Sequence, residues 1–73
     1  MLAIKVRVIL RWLREDGWLL ERQPGTSHRQ FRHAAKPGIV TVNGNNNDDI
    51  FGGLLDSIAR QAGWAKADLR VRK

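Results

Sequence analysis

The chain has 73 residues, enough for one domain with a modest core and too few for a deep cleft plus a separate cofactor domain. A domain this short buries only about 60% of the surface that its unfolded chain exposes, so any active site must lie in a shallow groove or on the surface. Thirteen Lys+Arg against seven Asp+Glu give a net charge of +6, which concentrates polyanions or acidic protein surfaces around the molecule.

There is no cysteine, so disulfides and thiolate metal sites are excluded; this fits a reducing, cytoplasmic setting. No apolar run approaches the ~20 residues of a membrane span. Met1 to Leu13 interleaves Lys5, Arg7 and Arg11 with its apolar residues, unlike the continuous apolar centre of a signal peptide.

In chain order, residues 4–16 are predicted to form a helix. Val6, Ile9, Leu10 and Leu13 fall at i, i+3, i+4 and i+7, and Gly17 is placed to end it. Val8 and Trp12 widen the apolar sector. Arg7, Arg11 and Arg14 form a stripe opposite, either a solvated face or a contact for phosphate or carboxylate. Trp18 to Gln23 reads as a first strand, Pro24 to Ser27 as a turn, and Arg29 to His33 as a second strand, which takes in His28 if it extends back. After the Lys36-Pro37-Gly38 turn, Ile39 to Val42 is the clearest strand.

Asn43 to Asp49 is a polar loop, with Asp48 or Asp49 able to cap the helix that follows. That helix covers roughly residues 52–62, with Phe51, Leu54, Leu55, Ile58 and Ala62 on one face. Gly63 ends it and Trp64 packs back. The expectation is one domain over residues 1–73, with a core of about 4–64 and a basic tail over 65–73. Its class is α+β: a three-stranded antiparallel sheet with both helices on one face and the other face open.

Strand parity then selects the candidate site. With Phe31 turned to the core, Gln30, Arg32 and His28 point to the open face together with Thr41, and Arg29 stands at the margin. His28 follows a Gly25-Thr26-Ser27 turn whose amides and hydroxyls can hold a phosphate oxygen. A histidine's ordinary pKa near ~6.5 leaves a free imidazole mostly neutral at pH 7. Such a ring can take the proton of a ribose 2′-hydroxyl. The bland alternative is a surface histidine without function. His33 shares the parity of Phe31 and reads as structural packing. No set of metal ligands, glycine-rich phosphate loop or Ser-His-Asp arrangement can be assembled.

Four stretches carry a family resemblance: Leu13-Arg14-Glu15-Asp16-Gly17-Trp18, Gly25-Thr26-Ser27-His28-Arg29-Gln30-Phe31-Arg32-His33, Lys36-Pro37-Gly38-Ile39-Val40-Thr41-Val42, and Ser57-Ile58-Ala59-Arg60-Gln61-Ala62-Gly63. In order and spacing they resemble the HicA toxins of bacterial and archaeal toxin–antitoxin systems, also called YcfA-like proteins. The resemblance implies a fold like the double-stranded-RNA-binding domain. It implies an mRNA-cleaving toxin that needs no metal or other cofactor, with its histidine at the position of His28, neutralised by a HicB-type antitoxin. Where the family usually has one Ser or Thr between glycine and histidine, this chain has both Thr26 and Ser27. Three readings follow: a ribonuclease with His28 as general base and Thr26, Ser27, Arg29, Gln30 and Arg32 on the RNA; a non-catalytic RNA-binding module; or a protein-binding partner of an acidic antitoxin.

Overall fold

A computed structural model describes residues 2–23, 25, 28–65 and 69. The chain runs β1 (Ala3–Lys5), α1 (Val6–Asp16), β2 (Trp18–Arg22), β3 (His28–His33), β4 (Ile39–Asn43), β5 (Asp49–Phe51) and α2 (Gly52–Ala62). This is the expected α+β order of helix, three strands and helix, with two short strands added.

Those additions correct the predicted start of the first helix. Ala3–Lys5 is extended, and Ile4 sits opposite Ile50 of β5 in an antiparallel pair with both side chains buried. The first turn of α1 needs no side-chain cap. The Val6 N–H donates to the Asp48 carbonyl at 2.9 Å and the Arg7 N–H to the Asn46 carbonyl at 3.1 Å, so loop carbonyls satisfy groups that a helix start leaves open. Gly17 ends α1 at φ +100°, the left-handed geometry that glycine takes without steric cost.

Asp48 and Asp49 do not cap α2. Asp48 Oδ2 accepts from the Asn45 amide at 2.9 Å, and Asp49 belongs to β5, where it pairs with Lys5 at 3.2 Å. The N-cap position falls on Phe51, with no side-chain cap bond. A second correction concerns the apolar face of α2. Leu55, Ile58, Ala59 and Ala62 are buried, whereas Phe51 and Leu54 are half exposed. Once β5 turns Ile50 inward, strand alternation sends Phe51 outward. Trp64 packs back as expected, edge-on to Trp12 with ring centroids 6.2 Å apart.

The main sheet has the order β2-β3-β4, antiparallel throughout. Trp18, Phe31, Val40 and Val42 are its buried residues, and they join the buried faces of both helices in one cluster. All four lie on the same side, so α1 and α2 cover one face and leave the other open. Each large side chain buried in this way contributes roughly 1.5–3 kcal/mol against exposure. Lys66, Arg70, Arg72 and Lys73 of the basic tail lie outside the described residues. Among the described residues, no helix is long and apolar enough to cross a membrane.

Candidate nucleic-acid interface on the open sheet face

Residues directly opposite in an antiparallel ladder share a face. The register therefore defines the open face row by row. His28 stands beside Asn43; Gln30 stands between Thr41 and Arg22; Arg32 stands between Ile39 and Leu19. His28, Gln30, Arg32 and Thr41 thus share the face that strand parity assigns them, with successive rows about 6.6 Å apart along β3. His28 is exposed and has no hydrogen-bond partner among the described residues. Its imidazole is free to meet a ligand. Thr26 and Ser27, the residues expected to help hold a phosphate, lie outside the described residues.

The three arginines near this face differ. Arg32 points outward, but its Nε is 2.8 Å and 3.0 Å from the two carboxylate oxygens of Glu21. An exposed pair of this kind is worth little and can be opened by a competing phosphate. Arg29 has the parity of Phe31 and Val42 and lies on the helix side. Its guanidinium donates to the Gly44 carbonyl at 3.0 Å and to Asn46 Oδ1 at 3.4 Å, tying β3 to the loop after β4.

Arg22 is the residue that alternation alone misses. Simple parity from Trp18 and Leu20 puts it on the helix side. The pairing shifts between Leu20 and Arg22, so that Leu20 faces Phe31 but Arg22 faces Gln30. This bulge carries Arg22 onto the open face, exposed and without a partner among the described residues, one row from His28. The adjacent charges Glu21-Arg22 are the available signal, since regular alternation would aim one of the two at the helix side.

His33, at the far end of β3, is fully engaged. Its Nδ1 accepts from the amides of Ala35 at 2.9 Å and Lys36 at 3.1 Å, which assigns the proton to Nε2; Nε2 lies 2.7 Å from the Asp16 carbonyl oxygen. The ring stands edge-on to Trp18 at 5.1 Å, and a Cβ on Gly17 would come within 2.9 Å of its Nε2. The predicted structural role of His33 thus has a concrete form.

Next to it, one oxygen of Asp16 gathers three donors: Lys36 Nζ at 2.7 Å, Trp18 Nε1 at 3.0 Å and Trp64 Nε1 at 3.1 Å. Lys36 also donates to the Ala62 carbonyl at 3.1 Å, at the end of α2. Desolvation pushes the Asp16 carboxyl up, but the bonds from Lys36, Trp64 and Trp18 and the Lys36 charge outweigh it and hold the group below its ordinary 3.8. This hub joins the end of α1, the start of β2, the turn after β3 and the end of α2. It fixes the sheet whose other face carries His28.

These features define a class of small basic α+β domain, one sheet face sealed by two helices and the other polar and open. The family model of the HicA toxin of bacterial toxin–antitoxin systems matches residues 6–64, and the chain belongs to that family. It is therefore the toxin component of such a system, a membership that implies a HicB-type antitoxin as partner. A search of curated proteins finds no match.

Proposed function

We propose that the chain is a ribonuclease that cleaves mRNA on the open sheet face, with His28 as general base. The observation that carries this reading is an imidazole at the start of β3, one row from Arg22, both exposed and without a side-chain partner among the described residues, on the open face of a basic toxin-family domain. His28 takes the proton of a ribose 2′-hydroxyl, and the freed oxygen attacks the adjacent phosphorus. The bond to the 5′-oxygen of the next nucleotide breaks, and that oxygen takes a proton from water. The products are a 2′,3′-cyclic phosphate and a free 5′-hydroxyl. No step in this scheme calls on a metal or cofactor.

Arg22 and Gln30 position the backbone beside His28. Arg32 joins once a phosphate displaces Glu21, and the hydroxyls of Thr26 and Ser27 contribute to holding the phosphate. Arg29 supports the site from behind by holding β3 to the Gly44 loop. The antitoxin inhibits by occupying the same face, and the reaction takes place in the cytoplasm.

Purified chain and His28→Ala on single-stranded RNA test the reading. General-base catalysis contributes about 100- to 10,000-fold, so the variant is expected to lose at least the lower figure while keeping its thermal stability. Equal cleavage by both proteins overturns the role of His28. Binding without cleavage by the wild-type chain assigns it instead to the non-catalytic RNA-binding reading.

A further inference from the structure

The two edges of the main sheet are unlike each other. On the outer edge of β4 one amide is met by α2, where Gln61 Oε1 accepts the Thr41 N–H at 3.2 Å. Among the described residues the outer edge of β2 is bare: no strand lies beyond it, and no backbone or side-chain hydrogen bond reaches Leu19 or Leu20 from outside the sheet. These two leucines are 69% and 51% exposed. They point to opposite faces, so they straddle the free edge.

We infer that the free edge of β2 is a docking seam for one strand of an acidic partner, which for a chain of this family is the antitoxin. The inference rests on toxin–antitoxin membership and is independent of the role of His28. A bare edge offers a row of unpaired N–H and C=O groups, and sheet extension gives a partner backbone bonds plus pockets for alternate side chains. An added strand with apolar residues alternating along it would cover one leucine on each face. The bulge before Arg22 ends the regular edge after Leu20, so the seam takes a short strand and resists open-ended pairing.

Charge selects the occupant. A second copy would bring another +6 against this one, whereas an acidic strand is attracted by the whole molecule and by the exposed Arg22 beside the seam. A strand seated here lies next to the row that holds Arg22 and Gln30. Docking at the edge would thus bring the body of the antitoxin over the site.

Amide hydrogen exchange on the full chain, alone and with its purified antitoxin, tests the seam. Alternate amides within Trp18–Arg22 are expected to slow in the complex. Leu19→Lys and Leu20→Lys are each expected to weaken the complex roughly tenfold, a loss typical of a central apolar contact. Both side chains are more than half exposed, so both variants should keep the wild-type melting temperature, and Leu20→Lys, which lies on the face away from the RNA, should also keep wild-type RNA cleavage. A complex that forms without protection in β2, or unchanged affinity in both variants, overturns the seam and leaves the toxin reading standing. Protection that grows with the concentration of the chain alone assigns the edge to a second copy and overturns the acidic occupant. Failure to form any complex refutes the partner reading itself.

Discussion

Replacing Asp16 by alanine should cost this domain a large share of its stability. The substitution takes from the indole N–H groups of Trp18 and Trp64 the carboxylate oxygen to which both donate, in residues only 1% and 6% exposed. A buried donor left unsatisfied costs about 1–3 kcal/mol. Loss of the partly exposed contact to Lys36 adds at most about 1 kcal/mol. Some relaxation toward solvent brings the expected total to roughly 3–5 kcal/mol, against roughly 4–11 kcal/mol for the whole domain at typical stability per residue. In urea, with a slope of about 1 kcal/mol per molar for so small a protein, the midpoint should fall by about 3 M or more. Asp16→Asn keeps an acceptor oxygen but loses the charge, and should fall between the two, down by roughly 1–2 kcal/mol. The same residue sets an acid dependence. Its folded-state carboxyl is held below its ordinary 3.8, so its contribution is complete above that value and is lost as pH falls through the folded pKa. Wild-type stability should therefore decline below about pH 4, and Asp16→Asn should decline less over that window. A loss under about 1 kcal/mol for the alanine variant, in a cooperative transition, would show that the indoles find other partners and would refute the hub argument.

Two further substitutions probe the open face. Arg22→Ala should weaken RNA binding and flatten its dependence on salt by the equivalent of one phosphate contact, a slope change of about 0.7 on single strands in a salt titration; an unchanged slope would remove Arg22 from the interface. Glu21→Gln should release Arg32 and tighten RNA binding roughly threefold in the same titration. Since the pair is exposed, its melting curve should shift by no more than about 0.5 kcal/mol.

Much of this architecture is legible in the sequence because single rules act locally. The stripe of Val6, Ile9 and Leu13 with Gly17 behind it marks α1, and Gly63 marks the end of α2. Alternation around Phe31 and the β-branched run Val40-Thr41-Val42 give β3 and β4 and separate His28, Gln30 and Arg32 from the core. What escapes such reading depends on contacts distant in sequence. Ala3–Lys5 continues the apolar period of α1, and only pairing with Asp49–Phe51, about 46 residues away, makes it a strand. That pairing also takes Asp49 out of a capping position and turns Phe51 to solvent. Arg22 escapes because one extra residue in β2 reverses parity. Asp16 escapes because its partners Lys36 and Trp64 lie 20 and 48 residues ahead, and neither spacing has a local signature.

The role of His28 is tested most directly by its required partner, the ribose hydroxyl. A single-stranded RNA that the chain cleaves at a known bond should be compared with the same RNA carrying one 2′-deoxyribose on the 5′ side of that bond. If the imidazole acts on the 2′-hydroxyl, cleavage at that position disappears while neighbouring sites and overall binding persist, and the intact RNA yields 2′,3′-cyclic phosphate ends. Continued cutting at the deoxyribose position would contradict a 2′-hydroxyl nucleophile and, with it, the work assigned to His28.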